Sequence, residues 1–122
     1  MLVSRVGVGK LAIAPTDLCT SQDFTNIIQY KHNSMFLLYA LYYLMKNKVK
    51  QTQGSAIKGI TVKEIKKFSL EFPTISEQAA IAEVLSAADR EIDLLRQDIE
   101  QEKQKKKALM QLLLTGIVRV KV

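Results

Sequence analysis

Lys46, Lys48, Lys50, Gln51, Gln53, Ser55 and Lys58 crowd into one polar stretch with two glycines, Gly54 and Gly59. Lysine ammonium groups neutralise phosphates, and a glutamine amide can pair with the adenine edge in the major groove. The stretch has the chemistry of a DNA contact, although a lysine-rich run is more often a solvated connector. A second constellation, Glu64-Ile65-Lys66 with Asp17 as partner, imitates half of a metal-dependent nuclease site. Against it, Thr61-Val62-Lys63-Glu64 is a capping box that accounts for Glu64 without any metal, and no Pro-Asp pair precedes it. Gly7-x-Gly9-Lys10 lacks the glycine spacing and the following Ser or Thr of a phosphate loop.

Other chemistries have little to work with. One cysteine, Cys19, permits no intramolecular disulfide, and one histidine, His32, starves the usual zinc sets and any Ser-His-Asp or Cys-His site. No cofactor is expected, and neither is catalysis by this chain alone. The amino terminus lacks a secretory pattern, and the longest apolar run, Met35–Met45, is too short to span a bilayer. The expected compartment is the cytoplasm.

Charge divides the chain. Residues 1–73 hold 10 Lys/Arg against 4 Asp/Glu, whereas residues 74–122 hold 8 of each, so the first part carries the whole net charge of +6. All eight aromatics also precede Pro73. A boundary falls there, and the basic part points to a polyanion, since phosphate neutralisation with counterion release drives much of nucleic-acid affinity.

The elements that must position these residues follow from local pattern. Leu2–Val8 and Leu11–Ala14 are β-prone runs joined through Gly9-Lys10, which reads as a hairpin. After a turn at Ser21–Phe24, Thr25–Tyr30 is a third strand candidate. Asn33 or Ser34 can cap a helix from about Met35 to Lys48, apolar enough between Met35 and Met45 to need cover on most sides. Thr61 starts a short helix, and Phe68–Phe72 alternates strictly, as a half-buried strand does. The fold class is α+β: a small mixed α/β domain, then one long coiled-coil-forming helix.

That helix starts at the capping box Thr74-x-x-Glu77 and meets no glycine or proline before Gly116. Ile81, Leu85, Ala88, Ile92, Leu95 and Ile99 follow spacings of 4 and 3, placing Leu85, Ile92 and Ile99 at a and Ala88 and Leu95 at d of a heptad. The register continues through Glu102 at d and Lys106 at a before Leu109 and Leu113 resume. Such a stripe needs another helix, so a homodimer through these positions is expected.

Gln53-Gly54-Ser55, Pro73-x-x-x-Glu77-Gln78-x-x-Ile81-Ala82-x-x-Leu85, Asp89-x-x-Ile92 and Leu112-Leu113-Leu114-Thr115-Gly116-x-x-Arg119-Val120 together resemble the specificity subunit of type I restriction-modification systems. The resemblance covers nearly the whole chain. It implies that residues 1–73 are part of a target recognition domain reading one half of a split site in double-stranded DNA, and that residues 74–122 are the conserved helix that acts as spacer and docks methyltransferase and restriction subunits. Catalysis would belong to those partners, and no membrane is involved. A subunit of this family normally has two recognition domains and two long helices, so a half-length or truncated form is expected. Two other readings stay open: a helical docking module that no longer reads DNA, and a small nuclease using Asp17, Glu64 and Lys66.

Overall fold

A computed structural model describes residues 1–5, 10–51 and 60–121. In chain order the elements are β1 (Leu2–Ser4), β2 (Leu11–Ala12), β3 (Phe24–Asn26), α1 (Ser34–Gln51), α2 (Val62–Ile65) and α3 (Ile75–Leu114). The fold is α+β, as the sequence predicts, and it divides into two compact units, Met1–Leu85 and Ser86–Val122.

In the first unit β1 is the centre of an antiparallel sheet of order β2-β1-β3. Val3 faces Leu11 on one side and Thr25 on the other. The Ser4 amide donates to the Lys10 carbonyl, so Lys10 sits opposite β1 and is not one of the two turn residues, Gly9-Lys10, that the sequence suggests. Residues 6–9 lie outside the described residues. β3 spans Phe24–Asn26 and not the expected Thr25–Tyr30, and Gln29 takes a left-handed φ of 55° through which no strand continues. Met1 and Ile27 still exchange backbone hydrogen bonds at 2.9 Å, which ties the chain start to the β3 edge.

α1 begins where Asn33 Oδ1 accepts the amides of Met35 and Phe36, both at 3.0 Å. Leu37, Leu41 and Met45, spaced four apart, form its buried face. Leu37 and Leu41 cluster with Met1, and Met45 clusters with Val3 and Ile60. Cover on most sides is what the helix has: nine of the eleven positions Met35–Met45 are buried or half-buried, and the exceptions are Tyr42 and Tyr43, 46% and 66% exposed. A tyrosine hydroxyl tolerates water where leucine would not. Met45, 1% exposed, has no room to relax. Met45→Ala is expected to cost about 2–5 kcal/mol of stability in denaturant unfolding.

Phe68–Phe72 is not part of the sheet. Phe68 and Leu70 nonetheless pack on the core while Ser69 and Glu71 are exposed. Alternating burial is therefore present without a ladder, because the segment lies over α1 side chains and not beside a strand. Phe72 stacks on His32 with ring centroids 3.8 Å apart, and Phe36 lies tilted against it at 6.2 Å.

α3 runs unbroken for 40 residues, about 60 Å at 1.5 Å per residue. Thr74 Oγ1 accepts the Glu77 amide at its start. Only Gln78 and Ala82, in its first turns, are buried. At its end Gly116 takes φ 76°, letting its amide return to the Leu113 carbonyl, a reversal that a side chain would strain.

Candidate nucleic-acid interface and docking helix

The helix expected to end at about Lys48 runs through Gln51, so the first part of the polar stretch is helical. Lysine and glutamine are good helix formers, and the first glycine comes only at Gly54. Lys46, Lys48, Lys50 and Gln51 thus occupy the last turns of α1, where cations also complement the helix dipole. Lys46 is exposed, with its Nζ 5.6 Å from the centre of the Tyr42 ring. Gln53, Ser55 and Lys58 lie outside the described residues. The exposed tyrosines beside Lys46 are functional candidates that sequence reasoning assigned to the core. Their hydroxyls and ring faces suit phosphate, sugar and base contacts. The signal that could have found them is the i,i+4 spacing of Tyr42 and Lys46.

Glu64 is held as its capping box requires. Its Oε2 accepts from the Thr61 amide and hydroxyl, each at 2.9 Å, while Thr61 Oγ1 accepts the Glu64 amide at 3.3 Å. Lys66 is the C-cap of α2, and Asp17 is exposed. Among the described residues no three His, Cys, Asp or Glu side chains gather into a metal-holding group.

Gln78 is the most consequential polar side chain of the first unit. It is 1% exposed, accepts the Asn33 amide at Oε1 (3.0 Å) and donates from Nε2 to the Pro73 carbonyl (2.8 Å). His32 Nδ1 lies 3.4 Å from the same Nε2. One amide therefore joins the cap of α1 to the first turn of α3, with the His32–Phe72 stack beside it. The family-like Pro-x-x-x-Glu-Gln motif has a physical content here: Pro73 and Gln78 bond each other, and Gln78 anchors both to Asn33.

The predicted seam is open along most of α3. Leu85, Ile92, Leu95, Ile99, Leu109 and Leu113 are each between 40% and 56% exposed, Ala88 and Lys106 are exposed, and only Ile81 is half-buried. Grooves run along it, one lined by Leu95, Asp98, Ile99, Glu102, Lys103 and Lys106 and a second by Glu102, Lys106, Leu109 and Leu113 among others. The helix also carries exposed i,i+3 ion pairs: Asp93–Arg96 and Glu100–Lys103 off the seam, and Glu102–Lys105, whose Glu102 lies on it.

The chain belongs to the type I restriction modification DNA specificity domain family, whose model matches residues 1–104. A Methanocaldococcus jannaschii protein assigned as the type I restriction enzyme MjaX specificity subunit is 38% identical over 120 residues, 96% of this chain and 28% of that protein. The MjaIX specificity subunit of the same organism is 38% identical over 98 residues, 73% of this chain and 21% of its own length. The MjaVIII specificity subunit is 36% identical over 93 residues, 75% of this chain and 22% of its own. The chain thus spans less than a third of the length of these relatives. No solved structure matches it. Among the described residues no helix is long and apolar enough to cross a membrane.

Proposed function

We propose that the chain is a non-catalytic DNA-recognition component of a type I restriction-modification complex, with residues 1–73 reading DNA and residues 74–122 serving as spacer and docking helix. The family match over residues 1–104 carries this reading. The open seam on α3 supports it, because a recognition unit that must be placed against partners needs a surface left free for them. Methyltransferase and restriction subunits would supply the chemistry, and a second copy of the chain would cover the seam. Lys46, Lys48, Lys50 and Lys58 would neutralise phosphates, Tyr42 and Tyr43 would contact the sugar-phosphate surface beside Lys46, and Gln51, Gln53 and Ser55 would face bases.

The test is binding to double-stranded DNA by fluorescence anisotropy over a salt series. Replacing the four lysines with alanine is expected to weaken binding to all sequences and to flatten the slope of log affinity against log salt by about 3 to 4, close to one unit per lost phosphate contact. Gln51→Ala or Gln53→Ala is expected to change sequence preference while leaving the salt slope in place. Binding unchanged by the four lysine replacements would remove the interface from this part of the chain. Complex formation with a methyltransferase subunit in the absence of any DNA affinity would instead leave α3 as a docking module alone.

A further inference from the structure

We infer that α2 is a second phosphate-contacting element, in which Lys63, Lys66 and Lys67 hold the backbone of double-stranded DNA beside the contacts made from the end of α1. This rests on the reading that residues 1–73 bind DNA, and it extends that surface to a short helix that the sequence marks only by its capping box.

α2 is four residues long, and the chain keeps turning past it: the amides of Lys66 and Lys67 return to the carbonyls of Val62 and Glu64 at 3.0 and 3.1 Å. Positions three and four apart lie on one face of such a turn, about 5–6 Å from each other. Lys63, Lys66 and Lys67 therefore share a face, and all three are exposed. Ile65 takes the other side, half-buried against the cluster of Val3, Met45 and Ile60. The packed isoleucine fixes which side of the turn meets solvent.

The one acid of α2 is turned off that face. Glu64 Oε2 accepts the amide and the hydroxyl of Thr61, both at 2.9 Å, which draws its carboxylate back to the start of the helix. Among the described residues no ion pair engages Lys63, Lys66 or Lys67, whereas the exposed charges of α3 pair with opposite signs three residues apart. A face of mixed sign serves solubility; a face of one sign raises the local potential and gathers a polyanion.

The occupant follows from where this face sits. Met45, in the cluster that Ile65 packs on, directly precedes the exposed Lys46 on α1. One small core cluster thus carries the basic end of α1 on one side and the lysine face of α2 on another, two stretches that the sequence keeps apart. Successive phosphates of a DNA strand recur about every 3.4 Å along the helix axis, so lysines about 5–6 Å apart reach neighbouring phosphates of one strand. Such contacts position the protein on the duplex without regard to base.

The experiment is fluorescence anisotropy of the full chain with a labelled duplex over a salt series. The variant K63Q/K66Q/K67Q keeps the Thr61 cap, retains good helix formers and removes three charges. It is expected to bind every duplex sequence at least about tenfold more weakly and to flatten the slope of log affinity against log salt by about 2 to 3. K63R/K66R/K67R is expected to bind as wild type does, which separates lost charge from lost fold. K107Q/R119Q/K121Q removes as many charges from exposed positions off the α3 seam and is expected to leave the slope in place. A glutamine variant of α2 with the wild-type slope, or an α3 variant that flattens it equally, would overturn the inference, while weaker binding after replacement of Lys46, Lys48, Lys50 and Lys58 would leave the DNA reading standing. An α2 variant that keeps the slope but no longer joins a methyltransferase subunit would overturn it in favour of a protein partner. Wild type without affinity for any duplex would overturn both readings.

Discussion

The variant L95D/L109D is expected to stay monomeric at concentrations where the wild-type chain associates, with affinity reduced at least about a thousandfold, or roughly 4 kcal/mol. Each aspartate would bring a carboxylate into the seam, and an uncompensated buried ion costs several kcal/mol. The stretch of α3 beyond Leu85 has little else to hold it. Its exposed ion pairs contribute about 0.2–0.5 kcal/mol each, and a solvated helix gains most of its stability from packing of an apolar face. Helix content is therefore expected to rise with protein concentration in wild type and to stay low in the variant, followed by circular dichroism beside the sedimentation measurement. Leu94 is 61% exposed and lies off the stripe, so Leu94→Asp is expected to change neither quantity. An effect of Leu94→Asp equal to that of the seam variant would move the interface to another face.

Replacing Gln78 is expected to destabilise the first unit more than any other single polar change in it. Gln78→Ala would strip the Asn33 amide and the Pro73 carbonyl of their partners and leave a void beside the His32–Phe72 stack. Leaving a buried donor or acceptor unsatisfied costs about 1–3 kcal/mol, so about 2–4 kcal/mol in total is expected from denaturant unfolding. Gln78→Glu tests the donor half separately: a carboxylate can still accept from Asn33 but opposes the Pro73 carbonyl, and an intermediate or larger loss is expected. Because the bond links the cap of α1 to the first turn of α3, the loss is expected in the unit Met1–Leu85. Unfolding midpoints of both variants matching wild type would mean that the amide is not the tie between those elements.

Residues within one helical turn of each other carry their own instructions, and this is where sequence reasoning succeeded. The Thr61–Glu64 capping box, the Asn33 cap and the glycine that ends α3 are all contacts over four residues or fewer, so spacing and residue type suffice to read them. Part of the family resemblance was legible for a related reason: Pro73, Glu77 and Gln78 lie at the start of α3 and Thr115-Gly116 at its end, where few side chains satisfy the geometry. Spacing said nothing of what the elements meet. Gln78 reaches Asn33 across 45 positions, and no local pattern distinguishes a glutamine that will be buried from one that will be solvated. The alternation of Phe68–Phe72 announced two faces correctly, but whether one edge finds a strand depends on what else occupies the core, and there α1 and His32 took the place of a ladder. For α1 the apolar run indicated cover on most sides, and nine of the eleven positions Met35–Met45 have it. Which two stay open was decided by packing: the sheet residues with Phe68 and Leu70 cover the other faces and leave Tyr42 and Tyr43 to water, Tyr42 beside Lys46.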